Sequence, residues 1–109
     1  MKGSYLGEFE ELVMLTCALL KDEAYGINIV QEIKLRMDRS VNLSAVHVTL
    51  YRLEDKGYVT SSYGGATAQR GGRRKRIFKL TSLGVKLLQQ INEKRQNLWD
   101  LIPELKTSS

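Results

Sequence analysis

Six cations, Arg70, Arg73, Arg74, Lys75, Arg76 and Lys79, fall within ten consecutive positions, and no acidic residue occurs between Asp55 and Glu93. Guanidinium forks suit phosphate oxygens, and the glycine pairs Gly64-Gly65 and Gly71-Gly72 let backbone approach a nucleic-acid strand closely. The chemistry on offer is recognition of a polyanion, with nucleic acid as the leading candidate; a solvated charge run is the other reading of such a stretch. Catalysis has no comparable support. His47 is the only histidine and Cys17 the only cysteine, thirty positions apart, so no nucleophile–base pair, multi-thiolate metal site or intramolecular disulfide is expected. No glycine-rich phosphate loop precedes a helix. An enzyme is not expected, nor a metal or other cofactor.

The charge is unevenly spread. Residues 1–55 hold six basic and nine acidic side chains, whereas residues 56–109 hold eleven basic and three acidic ones, which sums to the net +5. At 109 residues the chain suits one compact unit with a modest core, and its apolar content of 42% argues against disorder. The longest nearly unbroken apolar run, residues 12–20, is too short for the roughly 20 residues of a membrane span. Glu8, Glu10 and Glu11 precede it, opposite in sign to the leader of a secretory signal. A cytoplasmic location without membrane attachment is expected.

Periodicity divides the chain into elements that would position the cations. A first helix over about 8–20 carries Phe9, Leu12, Val13, Leu15, Leu19 and Leu20 after an acidic first turn. A second, about 24–37, places Ile27, Val30, Ile33 and Met37 at helical spacing, with Gly26 marking close packing against a neighbour. A third, about 45–56, has Ser44 as its N-cap, Val46, Leu50 and Leu53 inward, and Gly57 at its end. Two β-forming runs, 58–63 and 75–81, bracket the glycine- and arginine-rich stretch 64–74 as a hairpin. Thr81 caps a last helix that runs to about Ile102, before Pro103.

Three helices, a strand, a basic loop and a strand make a winged helix-turn-helix, a mainly α fold with a small β-hairpin. Residues 1–80 would form the DNA-binding unit and residues 81–109 a dimerisation helix with a short tail. With Leu50 inward, Ser44, Ala45, Val48, Tyr51, Arg52 and Asp55 point outward and His47 lies near the boundary. Arg52 can fork onto guanine or phosphate, Ser44 and Tyr51 can donate to phosphate, and Val48 can meet a thymine methyl. Arg70, Arg73, Arg74, Lys75 and Arg76 supply phosphate or minor-groove contacts from the hairpin. Neutralising six to eight phosphates would give log K a slope of about −5 to −7 against log salt.

These residues resemble the PadR-like transcriptional regulators over nearly the whole chain. Ala24-Tyr25-Gly26-Ile27-Asn28-Ile29 matches the start of that family's second helix. Leu50-Tyr51-Arg52-Leu53-Glu54-Asp55-Lys56-Gly57 matches its Leu-x-Arg-Leu-Glu-x-x-Gly third helix. The run Gly71-Gly72-Arg73-Arg74-Lys75-Arg76, followed by Leu80-Thr81-Ser82-Leu83-Gly84, matches the end of its wing. Members often carry Tyr-Pro or Tyr-Thr where this chain has His47-Val48, so a tyrosine contact there does not carry over. The resemblance implies a dimer that represses genes at palindromic operators on double-stranded DNA, of the short-tailed type with one helix after the wing.

Leu87, Leu88, Ile91, Leu98, Trp99 and Ile102 give the last helix more apolar surface than three helices would cover, which points to homodimerisation. Trp99 either packs in that interface or stacks on a small aromatic effector between subunits. His47 is a tolerated surface residue, a DNA contact or a pH-responsive group, and Cys17 an inert core thiol or a redox sensor. The alternative function from another class is a winged-helix scaffold whose basic hairpin binds an acidic protein.

Overall fold

The computed structural model describes residues 6–64 and 75–105. The chain runs α1 (Glu8–Leu20), a 3₁₀ turn (Lys21–Glu23), α2 (Gly26–Met37), α3 (Leu43–Asp55), β1 (Val59–Tyr63), β2 (Arg76–Leu80), α4 (Ser82–Asp100) and a final 3₁₀ turn (Pro103–Leu105). The strands pair antiparallel, with Val59 opposite Leu80 and Tyr63 opposite Arg76. The element order matches the sequence expectation, and Gly65 to Arg74, the tip of the expected hairpin, lies outside the described residues.

Several helix ends have an identifiable chemical cause. The N-cap of α3 is Asn42 rather than Ser44: Asn42 Oδ1 accepts from the N–H groups of Ser44 and Ala45 at 2.7 and 3.3 Å, so the helix starts two residues earlier than expected. At its other end Gly57, at φ +85°, and Tyr58 donate to the carbonyls of Glu54 and Leu53, the paired bonds of a Schellman motif. Thr81 caps α4 as expected, its Oγ1 accepting from Gly84 N–H at 3.0 Å. Ala24 is not helical; its carbonyl accepts from the Phe78 N–H at 3.1 Å, which pins the approach to α2 against β2.

The core collects one stripe from each helix and the inner side of the hairpin. Val46, Leu50 and Leu53 are fully buried, as the period of α3 predicts. On α2 the buried stripe is Ile29 and Ile33, whereas Ile27 and Met37 are exposed, so the apolar face is rotated from the expected one. On α1 Val13, Met14 and Cys17 are buried together with Thr16, whose Oγ1 donates to the Leu12 carbonyl at 2.8 Å, and Leu15 and Leu19 face outward. Among the described residues Phe78 is the largest fully buried side chain, and it closes this core from the strand side.

The acidic first turn of α1 anchors the unit. Glu8 meets Arg39 at 2.8 Å, Glu10 meets Lys56 at 3.1 Å and Glu11 meets Arg95 at 2.8 Å, tying α1 to the α2–α3 connection, the end of α3 and α4. These pairs satisfy the glutamates within the fold, with the macrodipole at the α1 N-terminus as a further favourable term. Among the described residues no helix is long and apolar enough to cross a membrane.

Candidate nucleic-acid interface

Helix α3 follows α2 across the short connection 38–42, in which Asp38 adopts a left-handed conformation and closes α2. The fixed turn leaves one face of α3 uncovered. Ser44, Ala45, Val48, Tyr51, Arg52 and Asp55 are exposed along it, with Val48 at 52% and Tyr51 at 42%, as the 100° spacing predicts. Arg52 makes no ion pair among the described residues, leaving its guanidinium plane available to an anion or a guanine edge.

His47 is half-buried and lies at the α2–α3 crossing. A Cβ on Gly26 would fall 2.7 Å from its Nε2, so the glycine does mark close packing against a neighbour. The ring also stacks on Tyr51, centroids 5.9 Å apart, and its Nδ1 is buried without a hydrogen-bond partner. His47 thus packs between α2 and α3 and against the Tyr51 ring.

On the hairpin, Lys75 is exposed and lies over the Tyr25 ring at 4.8 Å, and its carbonyl accepts from Gly64 N–H at 2.7 Å, extending the ladder toward the tip. Arg70, Arg73 and Arg74 lie outside the described residues. Arg76 is placed differently from expectation. Its Nη2 donates to Glu54 Oε1 at 3.2 Å and its Nε to Ser61 Oγ at 3.0 Å, so two of its donors are engaged within the chain itself. The signal that locates it is strand alternation: Arg76, Phe78 and Leu80 share one face, and Phe78 points into the core. Lys79, on the opposite face, pairs with Asp22 at 2.9 Å.

Burial pushes the Cys17 thiol up to about 12, which removes the thiolate that redox chemistry requires. Among the described residues no group of His, Cys, Asp and Glu could hold a metal ion.

On α4, Leu87 is packed inside the chain's own core at 6% exposure, and Leu88 and Ile91 are partly covered by that core. From Asn92 to Asp100 every residue is exposed. Leu98, Trp99 and Ile102 stand 62%, 49% and 38% exposed, and with Arg95 and Leu105 they line an apolar cleft of about 290 Å³.

Two helices joined by a tight turn, the second presenting an uncovered face beside a two-stranded hairpin, define a winged helix-turn-helix protein. Residues 15–90 match the sequence model of the transcriptional regulator PadR-like family, and the chain belongs to that family. Among solved structures it is similar to a PadR-like transcription factor from Bacteroides fragilis, at 21% identity and a TM-score of 0.72, covering 90% of this chain and 89% of that one. It is also similar to a PadR family transcription regulator from Clostridium difficile R20291, with 22% identity, TM-score 0.66 and coverage of 88% and 96%. A third similar structure is smu.1704 from Streptococcus mutans UA159, with 27% identity, TM-score 0.66 and coverage of 92% and 90%. No match was found among curated proteins.

Proposed function

We propose that this PadR-family regulator is a sequence-specific, dimeric DNA-binding repressor, acting in the cytoplasm on a palindromic operator. The observation that carries this reading is the exposed face of α3, where Ser44, Ala45, Val48, Tyr51 and Arg52 stand clear of the core and Arg52 is free of ion pairs among the described residues. Helix α3 reads base edges in the major groove, and the hairpin residues Lys75, Arg70, Arg73 and Arg74 grip the backbone beside it. Residues 1–80 supply this reading unit. Residues 81–109 pair the subunits through Leu98, Trp99 and Ile102, with Leu88 and Ile91 at the margin. The apolar cleft beside Trp99 accepts a small aromatic effector, whose binding between subunits shifts the spacing of the two reading helices.

The test is selection of bound duplexes from a random pool, with and without candidate aromatic ligands. Enrichment of a twofold-symmetric sequence is the expected result. A pool that stays random at modest ionic strength contradicts it and favours the scaffold reading, in which the basic hairpin binds an acidic protein.

A further inference from the structure

Resting on the reading of α3 and the hairpin as a DNA interface, we propose that Arg76 is a positioning residue that fixes the angle of the wing to α3, and not a ligand of phosphate. Three hydrogen bonds close a triangle across three elements. Arg76 on β2 donates to Glu54 on α3 at 3.2 Å and to Ser61 on β1 at 3.0 Å, and the Ser61 hydroxyl donates to the other oxygen of Glu54 at 2.8 Å. Both strands of the hairpin are therefore fastened to the same carboxylate of the reading helix. The guanidinium also lies over three rings, Tyr51 at 5.0 Å, Phe78 at 5.6 Å and Tyr63 at 5.8 Å. Phe78 is fully buried and Tyr63 is the cross-strand neighbour of Arg76, so the guanidinium is held from the core side and across the strand pair.

The arrangement has a consequence for binding. Helix α3 and the wing contact DNA together only if their relative orientation matches the duplex, and an orientation already fixed in the free protein spares the association its ordering cost. The guanidinium also packs on the exposed Tyr51 ring, which stacks with His47 as well. A lysine at position 76 would keep the charge and lose the planar fork that reaches Glu54 and Ser61 together.

The test measures duplex affinity against salt concentration for the full-length protein and for Arg76→Lys, Arg76→Ala, Glu54→Gln and Ser61→Ala, with thermal unfolding of each to score the folded fraction. A positioning role makes Arg76→Lys and Glu54→Gln each about tenfold weaker, with log K still falling at the parent's slope against log salt. Glu54→Gln is the decisive arm. It removes a negative charge near a polyanion, so a phosphate-binding Arg76 released by it would bind more tightly, whereas a lost anchor binds less tightly. Ser61→Ala changes no charge, carries the test if an Arg76 variant fails to fold, and is expected to weaken binding about threefold. Stronger binding by Glu54→Gln, a slope about one unit shallower in Arg76→Ala, or unchanged affinity per folded molecule in all variants would each overturn the proposal. A parent that binds no duplex at all fails the interface reading itself, a result distinct from these.

Discussion

A Cβ placed on Gly84 would overlap the carbonyl oxygen of Tyr58, the same oxygen that accepts a hydrogen bond from the Thr81 N–H at 3.0 Å. The first turn of α4 thus rests directly on the backbone leading into β1, and the glycine of the Leu-Thr-x-x-Gly motif is there because no side chain fits. The two nearest atoms belong to the Tyr58 backbone, which cannot yield as the third neighbour, the Met14 methyl, can. Gly84→Ala is expected to cost about 2–3 kcal/mol, despite alanine's higher helix propensity, as a fall in the denaturant midpoint at constant m-value. A neutral or stabilised variant would mean that the contact is looser than the structure shows.

The carboxyl of Glu10 responds to acid. Partial burial pushes it up, but the Gly7 N–H, the hydrogen bond from Lys56 and the charges of Lys56 and Arg52 together outweigh that and hold it below its ordinary value of 4.5. A group depressed in the folded state adds stability above its unfolded value and loses it as pH falls through the folded value. The parent should therefore lose up to about 1 kcal/mol more than Glu10→Gln between neutral pH and the pH range below 4.5, read from urea midpoints, the pair being partly exposed. Parallel pH profiles would remove the Glu10–Lys56 pair from the account of stability.

Cys17 should be silent toward thiol reagents in the folded protein. With its thiol pushed up to about 12 by burial, the thiolate fraction near pH 8 is negligible, and labelling should proceed only as fast as the chain opens. Rapid stoichiometric labelling without denaturant would revive a redox role.

Much of the fold was legible because its signals are local. The inward stripe of α3, the Thr81 cap and the two strands follow from spacing and from residue type within a few positions. The start of α3 was not, since Asn42 and Ser44 are both good caps and only the reach of Asn42 Oδ1 to two N–H groups decides between them. The stripe on α2 was misplaced because Ile27, Ile29, Val30 and Ile33 offer two apolar faces, and the docking of Ala24 onto β2 selects the one with Ile29. In the candidate site, the exposed face of α3 was visible in the sequence. The Arg76–Glu54 contact is not legible in the sequence, because charge density suggests phosphate, while Glu54 lies 22 positions away and is brought near only by the hairpin.

Oligomerisation can be followed through the only tryptophan. Trp99 is half-exposed in the single chain, so a dimer that covers it should show blue-shifted emission that moves to the red on dilution, and Leu98→Asp should sediment as a monomer. Emission independent of concentration, with a monomer mass throughout, would remove the dimer and with it the palindromic operator.

Salt dependence separates the two parts of the interface. Arg73→Ala with Arg74→Ala should weaken all duplexes alike and flatten the salt slope by about two units, whereas Arg52→Ala should shift sequence preference by about 1–3 kcal/mol at a single position. Equal slopes in the double variant and the parent would take the wing out of contact with the backbone.

The most direct measurement is the affinity of the full-length protein for its best selected duplex and for a scrambled duplex of equal length, taken in parallel across a salt series. The account predicts discrimination of about 10³-fold or more, with a slope of about −5 to −7 for the selected site. Equal affinity for the two duplexes at every salt concentration would contradict it.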